Sequence, residues 1–226
     1  MDGNTEVGPQ IATEKINSIS WKQILFFTLI FAFEIFIFYV VPKQSSNVII
    51  YSYLNSALLL FLFFSIVITL FPKIRIYCFQ SINLKPLRQL SSYISIAILL
   101  MITVFLSYIL SKIQVINYIS GDIKIIPRSI SNIIIYGINI SIFAPIWEEL
   151  YFRGILFQKL TQKFPLIFSA ILSSVIFSLV HTNTTIAHHI TIFIIGIFLA
   201  LLYKRTGSLA VPILLHSLIN IVSIFY

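Results

Sequence analysis

The sequence predicts an all-α fold, a polytopic membrane helix bundle of about seven transmembrane helices, and three observations carry that expectation. The 226 residues are 58% hydrophobic and only 10% charged, with a mean hydropathy of +1.00, more than a soluble domain of this size keeps in solution. Apolar runs near the ~20 residues that cross a bilayer recur along the chain. Phe, Ile, Leu and Tyr supply the bulk, glycine is scarce, and no run shows the roughly 10-residue alternation of a membrane barrel.

The first span is read at 21–41, behind a polar N-terminal stretch. It is too long for a signal-peptide core and has no obvious small-residue cleavage site, so it is expected to stay as an anchor. Further spans are read at 49–71, 91–112, 129–152, 164–181, 188–203 and 208–226. Pro145, which lacks an N–H, is expected to kink the fourth span. Gly207 reads as the turn before the last one. Residues 1–128 then hold three spans without a diagnostic motif. Residues 129–226 hold four spans and all four histidines.

A formal charge of +8 could suggest nucleic acid, but the basic residues sit in alternate loops. Lys15 and Lys22, then Lys73, Arg75, Lys85 and Arg88, then Lys159 and Lys163, then Lys204 and Arg205 occupy one set. The other set holds Lys43, Lys112, Lys124 and Arg128, offset in part by Asp122. The positive-inside rule puts the chain in the cell membrane with its N-terminus cytoplasmic and its C-terminus outside. The lipid bilayer is therefore an expected partner and nucleic acid is not. Cys78 is the one cysteine, so an intramolecular disulfide is excluded and a thiolate zinc site is not expected.

Chemistry concentrates in "WEELYFR", Trp147 to Arg153. An ionisable side chain inside a span costs about 2.5–3.5 kcal/mol on insertion scales, so each one is a functional hypothesis. Glu148 and Glu149 are adjacent, about 100° apart around a helix, and cannot share one job. Glu149 and Arg153 stand four apart on one face, where an ion pair is expected, leaving Glu148 free. "FSLVH" puts Phe177 and His181, and "HSLIN" puts His216 and Asn220, at the same helical spacing. Counted at 1.5 Å per residue from the basic loops, Glu149 lies roughly 21 Å deep, His181 roughly 27 Å and His216 roughly 17 Å, so these groups can converge toward mid-membrane. The bland alternatives are a buried ion network joining helices and interhelical hydrogen bonds from the histidines and Asn220. Phe177 reads as packing beside His181. His188 and His189 read as interfacial residues at a short turn, and Glu34 in the first span is assigned no role.

In these motifs the chain resembles the CPBP family (CAAX proteases and bacteriocin-processing enzymes, also called Abi), whose pattern is EExxxR, FxxxH and HxxxN or HxxxD on successive helices. Here it reads "EELYFR" at 148–153, "FSLVH" at 177–181 and "HSLIN" at 216–220, and "KRTGSLAVPILLH" is similar to the family's approach to its last histidine. The resemblance covers about the last 80 residues. It implies an intramembrane glutamic endopeptidase in which Glu148 activates water with His181, while His216 and Asn220 form an oxyanion hole. Glu149, Arg153 and Phe177 would give structural support. The implied substrate is a peptide or membrane-anchored protein, and the family's bacterial roles include bacteriocin immunity, peptide maturation and surface regulation.

The reading favours no bound metal, since there is no HExxH; glutamate with two histidines leaves a divalent metal such as zinc open. A non-catalytic membrane scaffold or immunity protein is the competing function. A small transporter would call for repeat symmetry or paired broken helices, which the sequence does not display.

Overall fold

The computed structural model describes residues 19–29, 46–113, 130–181 and 185–224, with side chains for all of these except 46–57, 111–113 and 132. Helix α1 covers 21–29, α2 Ser46–Leu70, α3 Pro72–Ser81 and α4 Leu90–Ile113, with a 3-10 turn at Lys85–Arg88 before α4. A long helix α5 runs over 130–160, followed by α6 (Leu166–Leu179), α7 (Ile186–Thr206) and α8 (Ala210–Ile224). Among the described residues there is no strand, and the chain is an all-α membrane helix bundle.

Among the described residues three helical stretches are long and apolar enough to cross a membrane by themselves: Leu90–Leu110, Ile133–Leu160 and Ile186–Thr206. Leu58–Leu70, Leu166–Leu179 and Ala210–Ile224 are shorter apolar stretches. The last four expected spans therefore appear as helices with shifted ends. The largest shift is in the fourth, which continues eight residues past 152 to 160 because Arg153 and Lys159 are buried and partnered. Most of the first expected span, with Glu34, lies outside the described residues.

Local chemistry sets several ends. Ser20 and Gln23 form a reciprocal capping box at the start of α1, Ser20 N donating to Gln23 Oε1 (2.9 Å) and Gln23 N to Ser20 Oγ (3.2 Å). Thr185 caps α7 by accepting from the His188 N–H. Gly207 ends α7 in the left-handed region at φ 64°, so the turn expected there is formed. Segment 72–81, read from sequence as loop, is helical. Pro72 occupies its first turn, and Ile74, Tyr77, Cys78 and Ser81 are buried against the bundle.

Two apolar cores hold the bundle. One joins α1, α2, α3, α5, α6 and α7 through Phe27, Phe64, Tyr77, Tyr151, Phe152, Phe157, Phe177 and Tyr203. The other joins α4, α7 and α8 through Ile96, Ile195, Leu199, Leu202, Val211 and Leu215.

Contacts between helix ends join several of the basic segments in pairs. Lys163 at the α5–α6 turn lies 4.9 Å from the Trp21 ring at the start of α1, and Lys159 Nζ donates to the Ile19 carbonyl. The α3–α4 connection is tied to the α7–α8 turn, with Asn83 N donating to Ser208 Oγ (3.1 Å) and Leu209 N to Ser81 O (2.9 Å). Lys163 thus lies beside the start of α1, and the segment carrying Lys85 and Arg88 begins beside the turn that follows Lys204 and Arg205.

Candidate active site

The motif residues sit on α5, on α8 and on α6, with His181 two residues past the end of α6. They are not on successive helices as expected, since α7 intervenes, carrying none of the motifs and lending a backbone carbonyl instead. Glu148 and Glu149 point to different partners, as their angular separation requires. Glu149 is fully buried, and its Oε1 accepts from Arg153 Nη1 at 2.7 Å, the expected i, i+4 ion pair. The same oxygen lies 2.9 Å from His216 Nδ1. Arg153, also buried, donates through Nη2 to the Gly196 carbonyl of α7 (3.2 Å), and its guanidinium carbon lies 4.2 Å from the Phe177 ring centroid. Carboxylate, carbonyl and ring face together supply what a buried guanidinium needs.

Glu148 faces the two imidazoles. Its Oε2 lies 3.6 Å from His216 Nε2 and 4.0 Å from His181 Nε2, and this oxygen has no hydrogen-bond partner among the described residues. Both rings are fixed from behind. His181 Nδ1 lies 2.7 Å from the Phe177 carbonyl, and a carbonyl only accepts, so Nδ1 carries the proton. His216 Nδ1 is set the same way by the Glu149 carboxylate. In the neutral rings each Nε2 therefore turns a lone pair toward Glu148.

His181 lies just past the end of α6, which closes at Leu179. Its ring folds back onto the last turn by bonding the Phe177 carbonyl, a helix-end interaction rather than continuation of the helix. The expected Phe177–His181 neighbourhood is nonetheless formed, ring centroids 4.7 Å apart, with His216 5.8 Å from Phe177 on another side. Phe177 is one ring touching Arg153, His181 and His216.

Asn220 stands one turn beyond His216 on α8 as its spacing requires, but its Nδ2 donates to the Ile140 carbonyl at 2.6 Å. Of the two remaining histidines, His188 is exposed and His189 clamps α6 to α7. His189 Nδ1 lies 3.0 Å from the Ser178 carbonyl, and Ser178 Oγ donates to the His189 carbonyl at 2.8 Å. Among the described residues no group of three or more His, Cys, Asp or Glu is arranged to hold a metal ion.

Sequence reasoning missed the Glu149–His216 link and the Gly196 carbonyl. The first joins residues 67 apart and the second residues 43 apart, so no periodicity reports them. Gly196 carries a partial signal as a glycine inside an apolar helix. A Cβ there would meet Ser174 Cβ at 2.8 Å, so glycine lets α7 approach α6 closely enough for its carbonyl to reach Arg153.

Residues 130–222 match the family model of type II CAAX prenyl endopeptidase Rce1-like proteins. Over 80 residues the chain is 40% identical to the Bacillus subtilis (strain 168) protein named "Putative membrane peptidase YdiL". That similarity covers 35% of this chain and spans about a third, 32%, of the relative's length. No solved structure matches.

Proposed function

We propose, from the premise that residues 130–222 are a CAAX protease-like (CPBP-like) domain, that this protein is an intramembrane endopeptidase using Glu148 to activate water. The observation that carries this reading is the facing of Glu148 Oε2 by two imidazole Nε2 atoms at 3.6 and 4.0 Å, both rings held by Nδ1 bonds. These separations exceed direct hydrogen bonds and suit a water held among the three groups.

In the proposed reaction Glu148, with His181 beside it, takes a proton from that water as its oxygen attacks the substrate carbonyl carbon. The carbonyl π electrons move to oxygen, giving a tetrahedral oxyanion. His216, protonated on both nitrogens with Glu149 as counter-charge, donates from Nε2 to that oxyanion. Asn220 would be the second donor, using the amide hydrogen that Ile140 does not take. Collapse breaks the C–N bond, and the proton held by Glu148 passes to the leaving amine. Arg153 and Phe177 hold Glu149, His181 and His216 in place. The substrate class is a peptide or membrane-anchored protein, and the orientation is with the N-terminus in the cytoplasm and the C-terminus outside. Roles in bacteriocin immunity, peptide maturation or surface regulation rest on the resemblance.

The test compares wild type with Glu148→Gln, both purified in detergent, on a peptide library read by mass spectrometry. Cleavage by wild type alone, at equal folding, supports the reading. Equal cleavage by both overturns the role of Glu148. If neither cuts and Glu148→Gln still confers the cellular phenotype, the non-catalytic scaffold replaces it.

A further inference from the structure

The proline ahead of the glutamates leaves a carbonyl without an intrahelical partner. Residues Asn139–Phe143 of α5 form a π-helical turn, and the Ala144 N–H bonds the Asn139 carbonyl, five residues back. In a regular α-helix that N–H would serve Ile140. The π register would instead give the Ile140 carbonyl the N–H of residue 145, but residue 145 is proline and has none. An unpaired carbonyl at this depth is costly, because lipid and apolar side chains offer no donor. Asn220 Nδ2 supplies one from α8 at 2.6 Å.

The same π turn is held on another side by Asn139. Its Oδ1 accepts from Leu58 N of α2 (2.9 Å), and its Nδ2 donates to the Ile135 carbonyl (2.9 Å). The turn is thus the point where α2, α5 and α8 are pinned by side-chain amides. Glu148 lies two helical turns further along α5, and His216 one turn before Asn220 on α8. A bond fixing Asn220 to Ile140 therefore sets the axial register on which the His216–Glu149 and His216–Glu148 spacings depend.

We propose that Asn220 is a positioning residue paired with Pro145: it caps the Ile140 carbonyl that Pro145 orphans, and so aligns His216 with the two glutamates. Its stability consequence stands apart from the proposed peptidase; its activity consequence rests on that reading.

The experiment is a double-mutant cycle on the purified full chain, combining Asn220→Ala with Pro145→Ala, which restores an N–H at that position. With Pro145 present, Asn220→Ala lowers Tm by a few degrees and removes cleavage. In the Pro145→Ala background the same change costs clearly less Tm, and part of the cleavage returns. If Asn220→Ala alone does not fold, recovery of folded protein in the double variant is the same result. An equal Tm drop in both backgrounds overturns the pairing. An unchanged Tm in Asn220→Ala, with cleavage lost in both backgrounds, assigns Asn220 to the oxyanion alone and also overturns it.

A second comparison leaves Pro145 untouched. Asn220→Gln, which keeps an amide N–H, is expected to retain more of the wild-type Tm than Asn220→Leu, which keeps volume only; equal values overturn the proposal. Should wild type cut no peptide, the Tm comparisons decide the capping role while the peptidase reading fails on its own.

Discussion

The two adjacent glutamates are expected to respond oppositely to neutralisation. Glu149 is fully buried, with Arg153 Nη1 at 2.7 Å and His216 Nδ1 at 2.9 Å on one oxygen. Glu149→Ala leaves the buried Arg153 with only the Gly196 carbonyl and the Phe177 ring among its contacts described above. Breaking one side of a buried ion pair costs about 3–5 kcal/mol, because the remaining charge stays desolvated. That is a loss of roughly two to three and a half powers of ten in the folded-to-unfolded ratio.

Among the described residues Glu148 has no arginine or lysine partner and no hydrogen bond on Oε2, and the imidazoles facing it stand back at 3.6 and 4.0 Å, so Glu148→Gln removes a desolvated charge and breaks no ion pair with arginine. Its Tm is expected to equal or exceed that of wild type, with cleavage abolished. The assay is thermal unfolding in one detergent, followed by tryptophan fluorescence, for wild type, Glu148→Gln, Glu149→Ala, Arg153→Ala and the Glu149→Ala/Arg153→Ala double variant. The double variant should lose less than the sum of its singles, since it carries no stranded charge. If Glu148→Gln is as destabilised as Glu149→Ala, or if the double variant is additive, the assignment of one glutamate to bracing and the other to chemistry is wrong.

Gly196→Ala should destabilise the α6–α7 contact by about 1–3 kcal/mol, because the new methyl would lie 2.8 Å from Ser174 Cβ and 3.2 Å from its Cα. Adding Ser174→Gly should recover part of the loss, and a wild-type Tm in Gly196→Ala would show that the helices are not so close. Cys78, buried on α3 outside the spans, has its thiol pushed up to about 12 by desolvation. The neutral thiol therefore persists below that pH, and a maleimide at pH 7–8 should label it only after unfolding; rapid labelling of the folded protein would contradict its burial.

How far the sequence reaches can be judged element by element. Hydropathy alone fixes that α4, α5 and α7 are membrane-length helices, since backbone groups in lipid have few ways to be satisfied. Fixed spacings within one helix are equally legible: the Glu149–Arg153 pair and the common face of His216 and Asn220 follow from four-residue separation. The helicity of 72–81 was hidden because its apolar face is short and its basic residues read as loop. His181 shows a limit of the same rule, since its four-residue spacing from Phe177 survives although α6 has already ended.

What only the tertiary structure decided is who meets whom across helices. That His216 is oriented by Glu149, that Arg153 reaches a carbonyl of α7, and that Asn220 caps the carbonyl orphaned by Pro145 depend on helix axial registers. Those registers are set by packing, such as the approach at Gly196 and the pinned π turn at Asn139. Sequence patterns carry the period of one helix, and the offset between two helices has no period to read.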